Sequence, residues 1–190
     1  MIKKDNRVSY RSAKKEDAPL IAEVLAMAFG KECSENYLGE DYLHIFEDIA
    51  KSEDSLYSFK NTIIAELEGT PVGAVCGYDG AQSPILRSNT LSLIKEKTGR
   101  EAHIEKETQE DEFYIDSLGI LPQFRGKGLG SKLLLQMRDM AFSKGHPIVG
   151  LLVDENNTKA KELYEKLGFK QKECTSLLGH KMWHLQTEKK

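Results

Sequence analysis

Between an apolar run at 113–120 and an amphipathic stretch that opens at Leu129, the chain reads Pro122-Gln123-Phe124-Arg125-Gly126-Lys127-Gly128-Leu129-Gly130-Ser131. Three alternating glycines at a strand-to-helix junction let the backbone turn tightly and let a ligand approach main-chain N–H groups. The helix that follows carries Leu129, Leu133, Met137, Met140 and Ala141 on one face, and Gly145 ends it. Its first turn offers N–H groups without intrahelical acceptors and the positive end of the helix dipole. With Arg125 and Lys127 alongside, this is a site for phosphate. A second apolar run at 148–153 completes a strand–helix–strand crossover, which predicts parallel pairing of the two strands. A dinucleotide-binding fingerprint would need glycine where Ser131 stands, and Gly130-Ser131-Lys132 has the wrong order for a Walker loop.

The remaining pattern is that of a mixed α/β domain. A short strand is predicted at 8–13, then a helix with Asp17 as N-cap, Pro19 in its first turn, and Ile21, Val24, Leu25, Ala28 and Phe29 on one face. Leu38, Tyr42, Ile45, Phe46 and Ile49 predict one further helix. A hairpin follows, with strands at 61–67 and 72–78 around Glu68-Gly69-Thr70-Pro71. Leu86, Leu91, Leu93 and Ile94 predict a helix stopped by Gly99. Near the end, Ala160, Leu163, Tyr164 and Leu167 share a helix face after Asn157, with Gly168 as the stop and two strands at 169–174 and 181–186.

At 190 residues the chain fits one domain, 1–190. A net charge of −3 with both signs interspersed gives no basic footprint for nucleic acid. No run approaches the roughly 20 apolar residues of a membrane span, and the first dozen residues hold no apolar signal segment, so a cytoplasmic protein is expected. Cys33, Cys76 and Cys174 are scattered, and His44, His103, His146, His180 and His184 lack ligand spacing, so no metal is expected.

Arg125, Gly128 and Gly130 fill the pattern R-x-x-G-x-G, which resembles the pyrophosphate-binding signature of the GNAT family of N-acetyltransferases. Asn157-x-x-Ala160-x-x-Leu163-Tyr164-x-x-x-Gly168-Phe169 is similar to the family's later motif, and Tyr10-Arg11-Ser12-Ala13 with Asp17 to its opening strand and helix. The resemblance is specific from Phe113 to Phe169 and diffuse elsewhere. It implies a mostly antiparallel sheet of about seven strands flanked by helices, with a splayed parallel pair in the middle. It also implies acetyl-CoA as acyl donor, its pantetheine arm on the backbone of Leu118, Gly119 and Ile120 and its pyrophosphate on the N–H groups of Arg125, Gly126, Lys127, Gly128, Leu129, Gly130 and Ser131. Asn157 would hold the arm as well as, or instead of, capping a helix.

The implied chemistry is direct attack of an amine on a thioester, which needs no covalent enzyme intermediate. Tyr164 matches the family tyrosine that hydrogen-bonds the departing thiolate; a phenol is protonated at neutral pH and can donate. For the base, Glu112, Tyr114, Asp116, Leu118 and Ile120 fall on one strand face by period two. Asp116 is the candidate and Glu112 the reserve; a structural role for Asp116 is the alternative.

Residues 79–112 form a variable insertion, longer than the usual family connection. Its acidic end (Glu105, Glu107, Glu110, Asp111, Glu112) reads first as a solvated loop and, in the functional alternative, as part of the acceptor site. Expected partners are a small-molecule or peptide amine, with no nucleic acid and no membrane, and a homodimer is allowed. The competing readings are a non-catalytic acyl-CoA sensor and an acyltransferase for a protein N-terminus.

Overall fold

The computed structural model describes residues 7–189; the charged stretch 1–6, part of the expected leaderless start, lies outside the described residues. A seven-stranded sheet runs in the order β1-β2-β3-β4-β5-β7-β6. Its strands are β1 (Val8–Ser12), β2 (Thr62–Leu67), β3 (Thr70–Asp79), β4 (Phe113–Ile120), β5 (Ile148–Asp154), β6 (Lys170–Leu177) and β7 (His180–Glu188). Every neighbouring pair is antiparallel except β4 and β5. The parallel pair is joined by the predicted crossover helix α5 (Leu129–Ser143). This is the mixed, mostly antiparallel sheet with a central parallel pair that the family resemblance implies, and the parallel pairing is the one the crossover predicts.

Helices cover both faces. On one lie α1 (Ala18–Phe29), α2 (Lys31–Leu38), α3 (Tyr42–Lys51) and α4 (Ser83–Thr98), whose buried Ile21, Leu25, Phe46 and Ile94 pack with Ile64, Cys76 and Tyr114 of the sheet. On the other, Leu133, Leu134 and Met137 of α5 pack against Phe113, Ile115, Val149 and Leu185. Each such side chain contributes about 1.5–3 kcal/mol by leaving water. The last helix, α6 (Thr158–Lys166), rests on this second face through Ala160 and Tyr164 and buries none of its residues fully.

Two local expectations change. The predicted second helix is two: Leu38 closes α2, Tyr42 opens α3, and Gly39 to Asp41 turn the chain between them. Both carry apolar faces, so period alone runs them together. Asp17 stands at the start of α1, but its carboxylate makes no cap bond there. It accepts the Lys14 N–H at 2.7 Å and both terminal nitrogens of Arg11 at 2.7 and 2.8 Å. The Arg11 guanidinium is the main reason that carboxyl is held below its ordinary range.

Candidate active site

Pairing between β4 and β5 joins Phe113 to Val149 and Tyr114 to Gly150 and extends no further among the described residues. Beyond that point the two strands part. A groove of about 370 Å³ occupies the opening on the α5 side. Leu118, Gly119 and Ile120 of β4 line it, together with Arg125, Gly126, Gly128, Leu129, Gly130 and Ser131 of the turn and Leu163 and Tyr164 of α6. Gly128 is the N-cap of α5 and takes a left-handed φ of 70°, which glycine adopts without steric cost. A Cβ at Gly126 or Gly128 would meet no protein atom within 4 Å, so the backbone stands open to a ligand at the dipole end of α5.

The other sequence candidates are placed as follows. Arg125 donates from Nε to the Ile120 carbonyl at 2.9 Å and from a terminal nitrogen to Met27 Sδ at 3.2 Å, so it ties the turn to the end of β4. Lys127 is exposed and lies over the Phe124 ring. Asn157 is not among the groove residues; its Oδ1 caps α6 by accepting the Ala160 N–H at 3.2 Å. Tyr164 packs beside Phe169, and burial pushes its phenol pKa up, which keeps the proton on oxygen at neutral pH.

A β-bulge sets the other side of the site. Cys76 pairs with Ser117 and Gly77 with Ile115, which leaves Asp116 without an opposite number on β3. The bulge breaks the period-two face expected from the sequence. Tyr114 belongs to the core under α1–α4, whereas Leu118 and Ile120 pack against the α5 core. Asp116 therefore shares a face with Tyr114 but not with the two residues that follow it in the pattern. Ser117, also at the bulge, has a buried hydroxyl without a hydrogen-bond partner among the described residues.

Asp116 opens into a cleft of about 880 Å³ on the α1–α4 face. Tyr114, Leu152 and Asp154 line it from the sheet, Phe29 and Lys31 from α1 and α2, Leu178 and His180 from the β6–β7 hairpin, and Glu107 from the acidic segment. Tyr78 donates its hydroxyl to Asp116 Oδ2 at 2.8 Å, and Tyr114 donates to Glu107 Oε2 at 2.7 Å. Burial pushes the Asp116 carboxyl well above the carboxylate range, and the neighbouring Glu107 charge adds to the shift against the Tyr78 bond. Glu107 is raised as well, chiefly by burial, with the Tyr114 bond and the Arg87 charge opposing. Two carboxyls thus face one cleft with their affinities for a proton increased.

The reserve base, Glu112, has a different job. Its side chain is fully buried, and four donors surround it: Thr108 Oγ1 at 2.9 Å, the Gln109 N–H at 3.1 Å, His184 Nε2 at 2.9 Å and Gln186 Nε2 at 2.8 Å. Burial alone would raise its pKa, but the bonds from His184, Gln186 and Gln109 outweigh that and hold it below the ordinary value. A saturated carboxylate of low proton affinity is a poor base, so Glu112 seats the acidic segment against β7. Gly150 makes the room, since a Cβ there would lie 2.0 Å from Glu112 Oε2. The acidic end is consequently not a plain solvated loop: Glu110 and Asp111 are exposed, but Thr108 and Glu112 are buried and Glu107 lines the cleft. The sequence offered one signal for this seat, a glycine inside the otherwise apolar run 148–153.

A central parallel pair that splays beyond its first contacts, with a glycine-rich helix start at the opening, defines the acetyltransferase type of α/β fold. The sequence matches the model of the acetyltransferase (GNAT) family over residues 25–169, and the chain belongs to that family. It is 32% identical over 110 residues to an uncharacterized N-acetyltransferase of Methanocaldococcus jannaschii, a match covering 58% of this chain and 39% of that protein. Curated relatives are thus matched over less than half of their length. Crystal structures agree over the whole fold. An acetyltransferase superposes with a TM-score of 0.81 at 29% identity, covering 95% of this chain and 98% of the other. An N-acetyltransferase from Staphylococcus aureus gives 0.78 at 25% identity, covering 94% and 100%.

Proposed function

We propose that the chain moves an acetyl group from acetyl-CoA to a primary amine of a small molecule or peptide, by direct attack within a ternary complex. One observation carries the reading: the opening between β4 and β5 has a phosphate-compatible groove on one side and, on the other, a cleft into which a proton-accepting carboxyl opens. The groove fits an acyl-CoA, because the open glycine backbone and the first turn of α5 suit its pyrophosphate and the β4 backbone freed beyond Tyr114 suits its amide-bearing arm.

The residues divide the work. An alkyl ammonium entering the cleft is held by Asp116 and Glu107 and must lose a proton before it can attack. Asp116, raised by burial and by its neighbour, takes that proton directly or through water. The amine nitrogen then bonds to the acetyl carbonyl carbon and the C–S bond breaks. The thiolate takes a proton from Tyr164, which is made good from the proton released by the amine. The sum is ammonium plus thioester giving amide, thiol and one proton. Positioning of both reactants is worth up to about 7–11 kcal/mol in favourable cases.

Thiol release from acetyl-CoA in the presence of polyamines, amino acids, aminoglycosides or peptide N-termini tests the reading, and tight acetyl-CoA binding with no amine turned over would turn it toward a sensor. Tyr164→Phe is expected to lower kcat by about 10²–10⁴-fold while changing acetyl-CoA affinity little, measured by single-turnover kinetics and by titration.

A further inference from the structure

We propose that the acceptor is a primary amine bearing a compact, uncharged apolar group, and that a pocket beside Glu107 receives that group. The inference rests on the acetyl-transfer reading and narrows its substrate class. The pocket measures about 70 Å³ and adjoins the cleft along α1 and α2, with walls of Phe46 and Ile49 from α3, Ile94 from α4 and Ala102 and Ile104 from the chain just before the acidic segment. Glu107 lines both pocket and cleft, as do Tyr37 and Leu178. Those last two are large apolar side chains left 37% and 42% exposed, so the wall the two spaces share carries uncovered apolar surface.

The charge pattern selects the occupant. Asp116 and Asp154 line the cleft from the sheet and Glu107 from the acidic segment, so their carboxyl oxygens offer acceptors to an incoming ammonium, while Lys31 lines the same cleft from α2. Most of the side chains that wall the pocket beyond Glu107 are aromatic or aliphatic, and Glu105, which also lines it, already accepts the Leu178 N–H at 3.1 Å, so an apolar group suits these walls better than a second ammonium, which would lose its hydration there. One cationic end and one apolar end therefore match the two spaces. Size narrows the choice: the volume is about half of the roughly 150 Å³ that holds benzene in an engineered apolar cavity, so a branched aliphatic group fits and an indole does not.

The test is kcat/KM of the intact protein for ethylamine, propylamine, 3-methylbutylamine, 1,4-diaminobutane and tryptamine. A gain of about fourfold is expected for each methylene that enters the pocket, so 3-methylbutylamine should exceed ethylamine by tenfold or more and should exceed the diamine and tryptamine. Ala102→Leu, which fills the pocket, should bring the ratio of 3-methylbutylamine to ethylamine toward one, whereas Glu107→Gln should raise KM for both and keep the ratio. If Ala102→Leu does not fold, competition settles the point: 3-methylbutan-1-ol should inhibit against amine far better than ethanol. Turnover of all the amines at similar kcat/KM, or a preference for the diamine, overturns the pocket assignment and leaves acetyl transfer standing. No turnover of any amine, with acetyl-CoA bound, overturns the acetyl-transfer reading and this inference with it.

Discussion

Asp116 shows how one residue is set by its surroundings. Burial and the Glu107 charge raise its pKa, so the acid limb of the kcat/KM profile should lie above the ordinary carboxylate value of about 3.9. In Asp116→Asn that limb should vanish and kcat should fall by about 10²–10⁴-fold, read from a pH–rate profile of both proteins. The same shift costs stability. A carboxyl whose folded pKa is raised stabilises the fold below its unfolded pKa, and that contribution is lost as pH rises through the folded value. Asp116→Asn should therefore melt higher than the parent at neutral pH and near the same temperature in acid. A variant that loses activity without gaining stability would show that burial is not the origin of the shift.

At the scale of elements, two junctions matter. The acidic segment is held by Glu112, and truncating it to alanine would orphan the His184 and Gln186 nitrogens, at about 1–3 kcal/mol each. Glu112→Ala should speed proteolysis within 99–111 and raise the amine KM while acetyl-CoA affinity stays the same. The pH window of this seat follows from the two shifts. Glu112 is lowered, so its contribution is complete above about 4.5 and lost as pH falls through its folded value. For His184, burial would lower the pKa, but the Glu112 and Glu173 contacts outweigh it and raise it, so its contribution is complete below about 6.5 and lost as pH rises through the folded value. The difference in melting temperature between parent and Glu112→Ala should thus be greatest between those limits. The second junction is the start of α5. Gly128→Val would place a branched side chain in the open space above the helix and force it to φ 70°, so acetyl-CoA affinity should drop, with some loss of stability from backbone strain. Unchanged affinity in a titration would remove the glycine turn from the cofactor site.

Over the whole molecule, the groove and the cleft lie along successive stretches of β4, Leu118 to Ile120 and Tyr114 to Asp116, and the proposed direct attack, with both substrates bound together, makes a kinetic prediction. Cys33, the half-buried thiol in the wall of the cleft beside Asp116, is pushed up by burial and is a weak nucleophile for any acetyl-enzyme route. Initial rates at several fixed amine concentrations should give intersecting double-reciprocal lines, and Cys33→Ala should keep that pattern. Parallel lines would reject direct attack.

The features legible in the sequence are those that local chemistry enforces. The glycine turn at 126–130, the crossover through α5, the Gly99 and Gly145 helix stops and the two terminal strands each follow from period, caps and backbone freedom within a few residues. Nine of the eleven cofactor-site candidates come together in one groove because they occupy a strand end and the turn that succeeds it. What tertiary structure alone decided depends on groups far apart in the chain. The bulge that turns Asp116 into the cleft is a mismatch in register with β3, about forty residues earlier, and no pattern within β4 encodes it. Glu107 and Glu112 read as solvated acids among Glu105, Glu110 and Asp111. Their enclosure depends on Tyr114 at one end and on His184 and Gln186, more than seventy residues away, at the other. A carboxylate's own sequence neighbours set whether it can be hydrated, but only the packed fold decides which polar groups replace the water.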